Sequence, residues 1–211
     1  MRKSEITHLL VAILVLFVVL GFRTVILGEV SGLVLAFAFA IVLILVPVVA
    51  KKATANLLDA GVEHKIWNFY RYGFKPRYHF KKDIPFGIVV PLLFTLISIG
   101  FVKVMTLLTY ETKVLRIRAA RRFGLYSYTE MSEWHNGLIG AAGVVALLFM
   151  AAIVYFIPAL EPLSKLACYY AFWNMIPFSN LDGTQIFFGS RILWATLAIV
   201  TVVLTAFALL I

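Results

Sequence analysis

The sequence predicts an all-α, polytopic membrane protein with about six hydrophobic segments and a re-entrant, β-like hairpin after the third. Composition is the first observation behind this. Of 211 residues, 63% are apolar and 14% are charged, whereas soluble domains run near half apolar and a quarter charged. Mean hydropathy is +0.98. Length is the second. A span needs about 20 apolar residues, so about six segments use most of the chain and make residues 1–211 a single integral membrane domain. The position of charge is the third. The formal net charge is +9, and it gathers between apolar runs, as Lys and Arg gather in the cytoplasmic loops of membrane proteins. The lipid bilayer is therefore the expected partner, and no nucleic acid is needed to account for the basic balance. With Cys168 as the sole cysteine, a disulfide within the chain is excluded.

The first apolar run, residues 8–27, follows Arg2 and Lys3. It is too long for the core of a signal peptide, and no small-residue cleavage site follows it. It reads as a retained span with the N-terminus on the cytoplasmic side. The second run, residues 32–50, ends on Lys51 and Lys52. Residues 51–83 form a basic, cytoplasmic-side helix and loop with eight Lys or Arg against three acids. The part from 51 to 70 has no proline and predicts a helix continuing out of the second span, stopped by Gly73 and Pro76.

The third run, residues 84–108, is basic on both flanks, with Lys113, Arg116, Arg118, Arg121 and Arg122 downstream. One straight crossing would put a basic flank outside, against the positive-inside rule. After Gly100 come Phe101, Val102, Val104, Thr106, Thr109 and Tyr110, which favour strand. The run therefore predicts a helix entering at Pro85 and an extended return from about Gly100. Irregular backbone at membrane depth persists only where protein or water covers it, so this hairpin is expected beside a cavity. Runs at 136–157, 166–178 and 192–211 follow, the middle one interrupted by Pro177 and the polar stretch 179–183. Trp67, Trp134, Trp173 and Trp194 fall near run ends, as an aromatic belt would.

Polar groups at membrane depth are candidate functional residues by default. The densest cluster is Asn174-Met175-Ile176-Pro177-Phe178-Ser179-Asn180-Leu181-Asp182-Gly183. Asn, Asp and Gly are also turn residues, so an inter-span turn and a functional loop both satisfy this stretch. Thr95 and Ser98 are expected to bond their own helix backbone. Cys168, in an apolar run with no basic neighbour, reads as a core thiol.

The cluster resembles the second signature of the site-2 protease family of intramembrane zinc metalloproteases: an Asn, a Pro three residues on, then Leu-Asp-Gly. The resemblance implies that Asp182 is a zinc ligand. It also implies that Asn174, with Pro177, Leu181 and Gly183, belongs to a loop that holds a substrate or partner backbone. Upstream, Glu133-Trp134-His135-Asn136-Gly137-Leu138-Ile139 and then Ala142-Gly143 look like the opening of a core helix in such proteins. Residues 100–110 sit where the family has a re-entrant strand region, and the resemblance covers roughly residues 45–195.

The family's other signature, HExxH on a helix, is missing. Its nearest counterpart is Ala60-Gly61-Val62-Glu63-His64-Lys65. His64 matches the second His, while Ala60 and Gly61 replace the first His and the Glu. On a helix Glu63 would lie about 100° from His64, so the two would not converge on one metal without unwinding. A catalytic zinc takes three protein ligands and an open position. His64 and Asp182 supply two, and His79 and His135 are the candidates for a third, each also readable as an interfacial histidine, as is His8.

Three functions remain open at this point. One is a pseudoprotease that binds transmembrane segments of other proteins, with no cofactor. The second is an active zinc metalloendopeptidase with His64, Asp182 and a third ligand on the metal, and Glu63 as base. The third is a small membrane transporter, since broken helices and buried polar residues also mark transport sites.

Overall fold

The computed structural model describes residues 3–71, 79–114 and 131–210. The elements are α1 (Lys3–Ile26), α2 (Val30–Leu57), β1 (Ala60–Ile66), β2 (Phe69–Arg71), β3 (His79–Ile84), α3 (Phe86–Ile97), β4 (Leu108–Val114), α4 (Glu133–Tyr155), a short 3-10 turn (Pro158–Leu160), α5 (Glu161–Met175), α6 (Asp182–Gly189) and α7 (Arg191–Leu210). Among the described residues, α1, α2, α4 and α7 are long and apolar enough to cross a membrane. The helices α3 and α5 are shorter, at 12 and 15 residues. The architecture is membrane-protein-like and mainly helical, with two small sheets of two strands each among the described residues. The chain divides into two compact units, Met1–Ile44 with Lys65–Thr109 and Leu45–His64 with Tyr110–Ile211.

In the first unit, α1 is apolar on all sides. Leu16 and Val19 are fully buried, while Leu10 and Leu14 are exposed, as suits a helix with one face on protein and the other on lipid. Helix α3 packs on α1. Strand β2 pairs antiparallel with β3, with Phe69 opposite Ile84. The Trp67 amide donates to the Leu107 carbonyl at 2.9 Å, and the Gly87 amide donates to the Trp67 carbonyl at 2.8 Å. Only a glycine fits at 87, because a Cβ there would strike the Leu107 carbonyl. Phe69 stacks on Phe86, and Trp67 meets Phe86 edge-on. Trp67 is thus a buried packing residue, which removes it from the expected aromatic belt.

Helix α3 begins after Pro85 and ends at Ile97. The Thr95 hydroxyl donates to the Pro91 carbonyl, inside its own helix. The Ser98 hydroxyl instead closes the following turn, accepting from the Val102 amide and donating to the Val102 carbonyl. Gly100 has a φ of +79°, a conformation open to glycine at little cost. The Arg23 guanidinium lies over the Phe101 ring, and the backbone stays irregular to residue 107.

In the second unit, α2 stops at Leu57 and does not run on to residue 70. Asp59 takes a φ of 53°, the left-handed conformation that commonly closes helices, and β1 starts at once. The helix expected over 51–70 is therefore corrected to a helical end and a strand. The reason is a period of two: Ala60, Val62 and His64 are buried, while Gly61, Glu63 and Lys65 are only half-buried. Alternation of this kind is a strand signature, and the absence of proline does not outweigh it. Gly73 and Pro76, expected to stop the helix, lie outside the described residues, as do Arg116, Arg118, Arg121 and Arg122.

Strand β1 pairs with β4. Ala55, Ala60, Val62, Tyr110 and Ile139 form one buried cluster. Helix α4 opens on Ser132, whose hydroxyl accepts from the His135 amide as an N-cap. It packs on α5 and α6, and α7 packs on both of those. Gly137, Gly140 and Gly143 repeat every three residues along α4, so they share one face. Where α4 meets α6 the backbones nearly touch: a Cβ on Gly189 would lie 2.9 Å from Gly137 Cα. Trp194 donates its indole N–H to the Met175 carbonyl, so its polar edge serves the end of α5.

Candidate functional site

The connection from α5 to α6 is tight. The Phe178 amide donates to the Ile176 carbonyl, the Leu181 amide donates to the Phe178 carbonyl, and Ser179 takes a φ of 53°. Gly183 lies directly against the Met175 carbonyl, where any Cβ would collide. These contacts pin Asp182, the first residue of α6, beneath the end of α5. A carboxylate in the first turn suits the positive end of the helix dipole. Asp182 is 3% exposed.

The partner of Asp182 is Lys51. The Lys51 ammonium stands 2.5 Å from Asp182 Oδ2, and both side chains are buried. Lys51 shares a face of α2 with the buried residues Val48 and Ala55, at the three- and four-residue spacings that align side chains on a helix. Its stem lies on α4, because position 143 is glycine: a Cβ there would come within 2.5 Å of Lys51 Cε. Its ammonium is also 4.7 Å from the centroid of the Tyr110 ring, close enough for a cation–π contact.

Tyr110 is itself held on three sides. Its hydroxyl donates to the Asn136 carbonyl at 2.7 Å. Its own carbonyl accepts from Gln185 Nε2 at 3.0 Å. A Cβ on Gly140 would lie 2.6 Å from the Tyr110 hydroxyl oxygen. The centre thus joins α2, β4, α4 and α6 around one ion pair. Burial raises the Asp182 carboxyl above its ordinary value, and Lys51 pulls it back down. Asp182 Oδ1 has no hydrogen-bond partner among the described residues.

The residues expected at a metal fall on several elements. His64 is 1% exposed and continues the buried face of β1. Glu63 is the next residue on that strand, so it points to the opposite face, and its carboxylate is 2.8 Å from Lys113 Nζ on β4. His135 is exposed, with Nδ1 2.5 Å from the Ser132 hydroxyl. His79 falls on β3 and His8 on α1. Among the described residues, no three His, Cys, Asp or Glu side chains are grouped to hold a metal ion.

Asn174 is buried, and its side-chain amide donates to the Tyr170 carbonyl one turn back. Leu181 and Gly183 are buried, and Pro177 is exposed. Beside them lies a cleft of about 280 Å3 lined by Glu133, Asn136, Asn180, Thr184, Gln185 and the exposed Phe188. The Thr184 hydroxyl and Gln185 Oε1 have no hydrogen-bond partner among the described residues. The cleft borders β4, since the Thr112 hydroxyl donates to Asn136 Oδ1 and Gln185 reaches Tyr110.

Sequence reasoning missed Lys51, Tyr110 and Gln185. Lys51 read as the flank that ends a span, as Lys52 still does. The available signal was the spacing 48, 51, 55, which puts a lysine on an apolar face of a helix. Comparison of the chain with protein-family models, with curated proteins and with solved structures finds no match.

Proposed function

We propose that this chain is a degenerate member of the site-2 protease-like family, one that holds membrane segments without cutting them. The Lys51–Asp182 pair carries the reading. The family resemblance makes Asp182 a metal ligand, and here a lysine of the same chain is the cation on that carboxylate. An ammonium neutralises the carboxylate but offers no open coordination position. It also cannot generate a hydroxide from bound water as a catalytic metal does. The candidate base, Glu63, is engaged by Lys113.

Binding is left as the function. The cleft beside β4 is the candidate seat for an extended backbone, and main-chain hydrogen bonds are how such segments add to strands. In this reading the chain from about Gly100 forms the re-entrant return, α3 and α5 complete a set of six hydrophobic segments, and the N-terminus is cytoplasmic.

The test is zinc per chain in the purified protein, compared with His64→Ala and Asp182→Ala, beside a cleavage assay on a membrane-segment substrate. We expect far less than one zinc per chain in all three proteins, and no cleavage. Near-stoichiometric zinc in the wild type, lost in both variants and accompanied by cleavage, would establish the active protease with His64 and Asp182 as ligands. Solute flux into liposomes that Asn174→Ala abolishes would establish the transporter.

A further inference from the structure

We propose that the second unit binds one glycerophospholipid whose headgroup carries both a phosphate and a primary ammonium. The site is a cavity of about 630 Å3 between α4, α5 and α7. That size falls within the roughly 300–1,000 Å3 of small-molecule sites. Its walls include Leu148, Ala151, Leu204 and Phe207. The helices α4 and α7 that supply them are two of the four long enough to cross a membrane. The cavity is open at the protein surface, where Tyr155, Phe156 and Phe207 are exposed, so between two such helices hydrocarbon is its natural content.

The polar atoms inside the cavity are already used within the protein. The Ser164 hydroxyl donates to the Ala151 carbonyl, and the Thr205 hydroxyl donates to the Cys168 carbonyl. What remains is a pair of charges at the rim. Glu161 and Lys165 both line the cavity. They stand one helical turn apart at the start of α5, 2.9 Å from each other, with side chains 47% and 35% exposed. The short turn Pro158–Leu160 joins them to the end of α4, where Tyr155 also lines the cavity. Aromatic side chains with a polar tip mark headgroup depth.

An apolar slot capped at headgroup depth by a carboxylate and an ammonium complements a zwitterionic lipid. One hydrocarbon chain fills the slot, the phosphate takes Lys165, and the lipid ammonium takes Glu161. A glycerol headgroup has no cation to set against the Glu161 carboxylate. A choline headgroup has no N–H to donate to it.

The experiment uses the full chain in mild detergent, relipidated with phosphatidylethanolamine, phosphatidylcholine or phosphatidylglycerol of matched acyl chains, and read by native mass spectrometry. One phosphatidylethanolamine should be retained per chain, about tenfold more tightly than either other lipid, the scale of one hydrogen bond to a charged group. Ala152→Phe, which fills the cavity, should remove it. Glu161→Ala should erode the preference and Lys165→Ala should weaken retention of all three lipids, each leaving the thermal unfolding midpoint in place. Equal retention of the three lipids, a preference for phosphatidylglycerol, or retention unchanged in Ala152→Phe would each overturn the proposal.

Discussion

Burying Lys51 and Asp182 removes two ions from water, at several kcal/mol each, and only close pairing with further contacts offsets that cost. The further contacts here are the Tyr110 ring under the ammonium and the glycine bed at 143 under the stem. Asp182→Ala should therefore lower stability by about 3–5 kcal/mol, the range for breaking a buried pair from one side. Lys51→Met should cost a comparable amount. The double variant Lys51→Met with Asp182→Leu should cost less than either single change, as measured by thermal unfolding in detergent. A double variant as costly as the two singles added together would show that the residues act independently. At this scale the sequence was half legible. Asp182 stood out because a carboxylate beside a helix-breaking proline is expensive at membrane depth. Lys51 did not, because a lysine after an apolar run is also what any span end carries.

Elements meet where side chains are absent. On α4, Gly140 admits the Tyr110 hydroxyl and Gly143 admits the Lys51 stem. Gly140→Ala and Gly143→Ala should each destabilise by about 1–3 kcal/mol, the usual cost of overpacking a filled interior. Val145→Ala, on an exposed position of the same helix, should stay within about 0.5 kcal/mol. Equal midpoints for all three variants would show that α4 is free to shift. The long helices were legible because an apolar run is a property of consecutive letters. The end of α2 was less so. A single residue, Asp59, turns the chain, and the strand beyond it shows only as a short alternation around Val62 and His64. The residues at which α4 touches α2 and β4 were not legible at all, since a glycine in an apolar run looks the same whichever neighbour it admits.

Across the whole molecule, large apolar side chains such as Val34, Phe149, Ile192 and Leu210 are exposed on the four long helices. Patches of that kind on a soluble protein would drive aggregation. The chain should thus stay with the membrane fraction through alkaline carbonate extraction; recovery in the supernatant would contradict the architecture. The ion pair also has a meaning for biogenesis. Lys51 precedes Asp182 by 131 residues, so the ribosome delivers the cation long before its anion. An unpartnered lysine can snorkel to the headgroups, and this one has no anion at position 182 to meet until translation reaches α6. A nascent chain truncated before residue 182 would have the Ala55 cluster and the Gly143 bed but would leave the lysine without its anion.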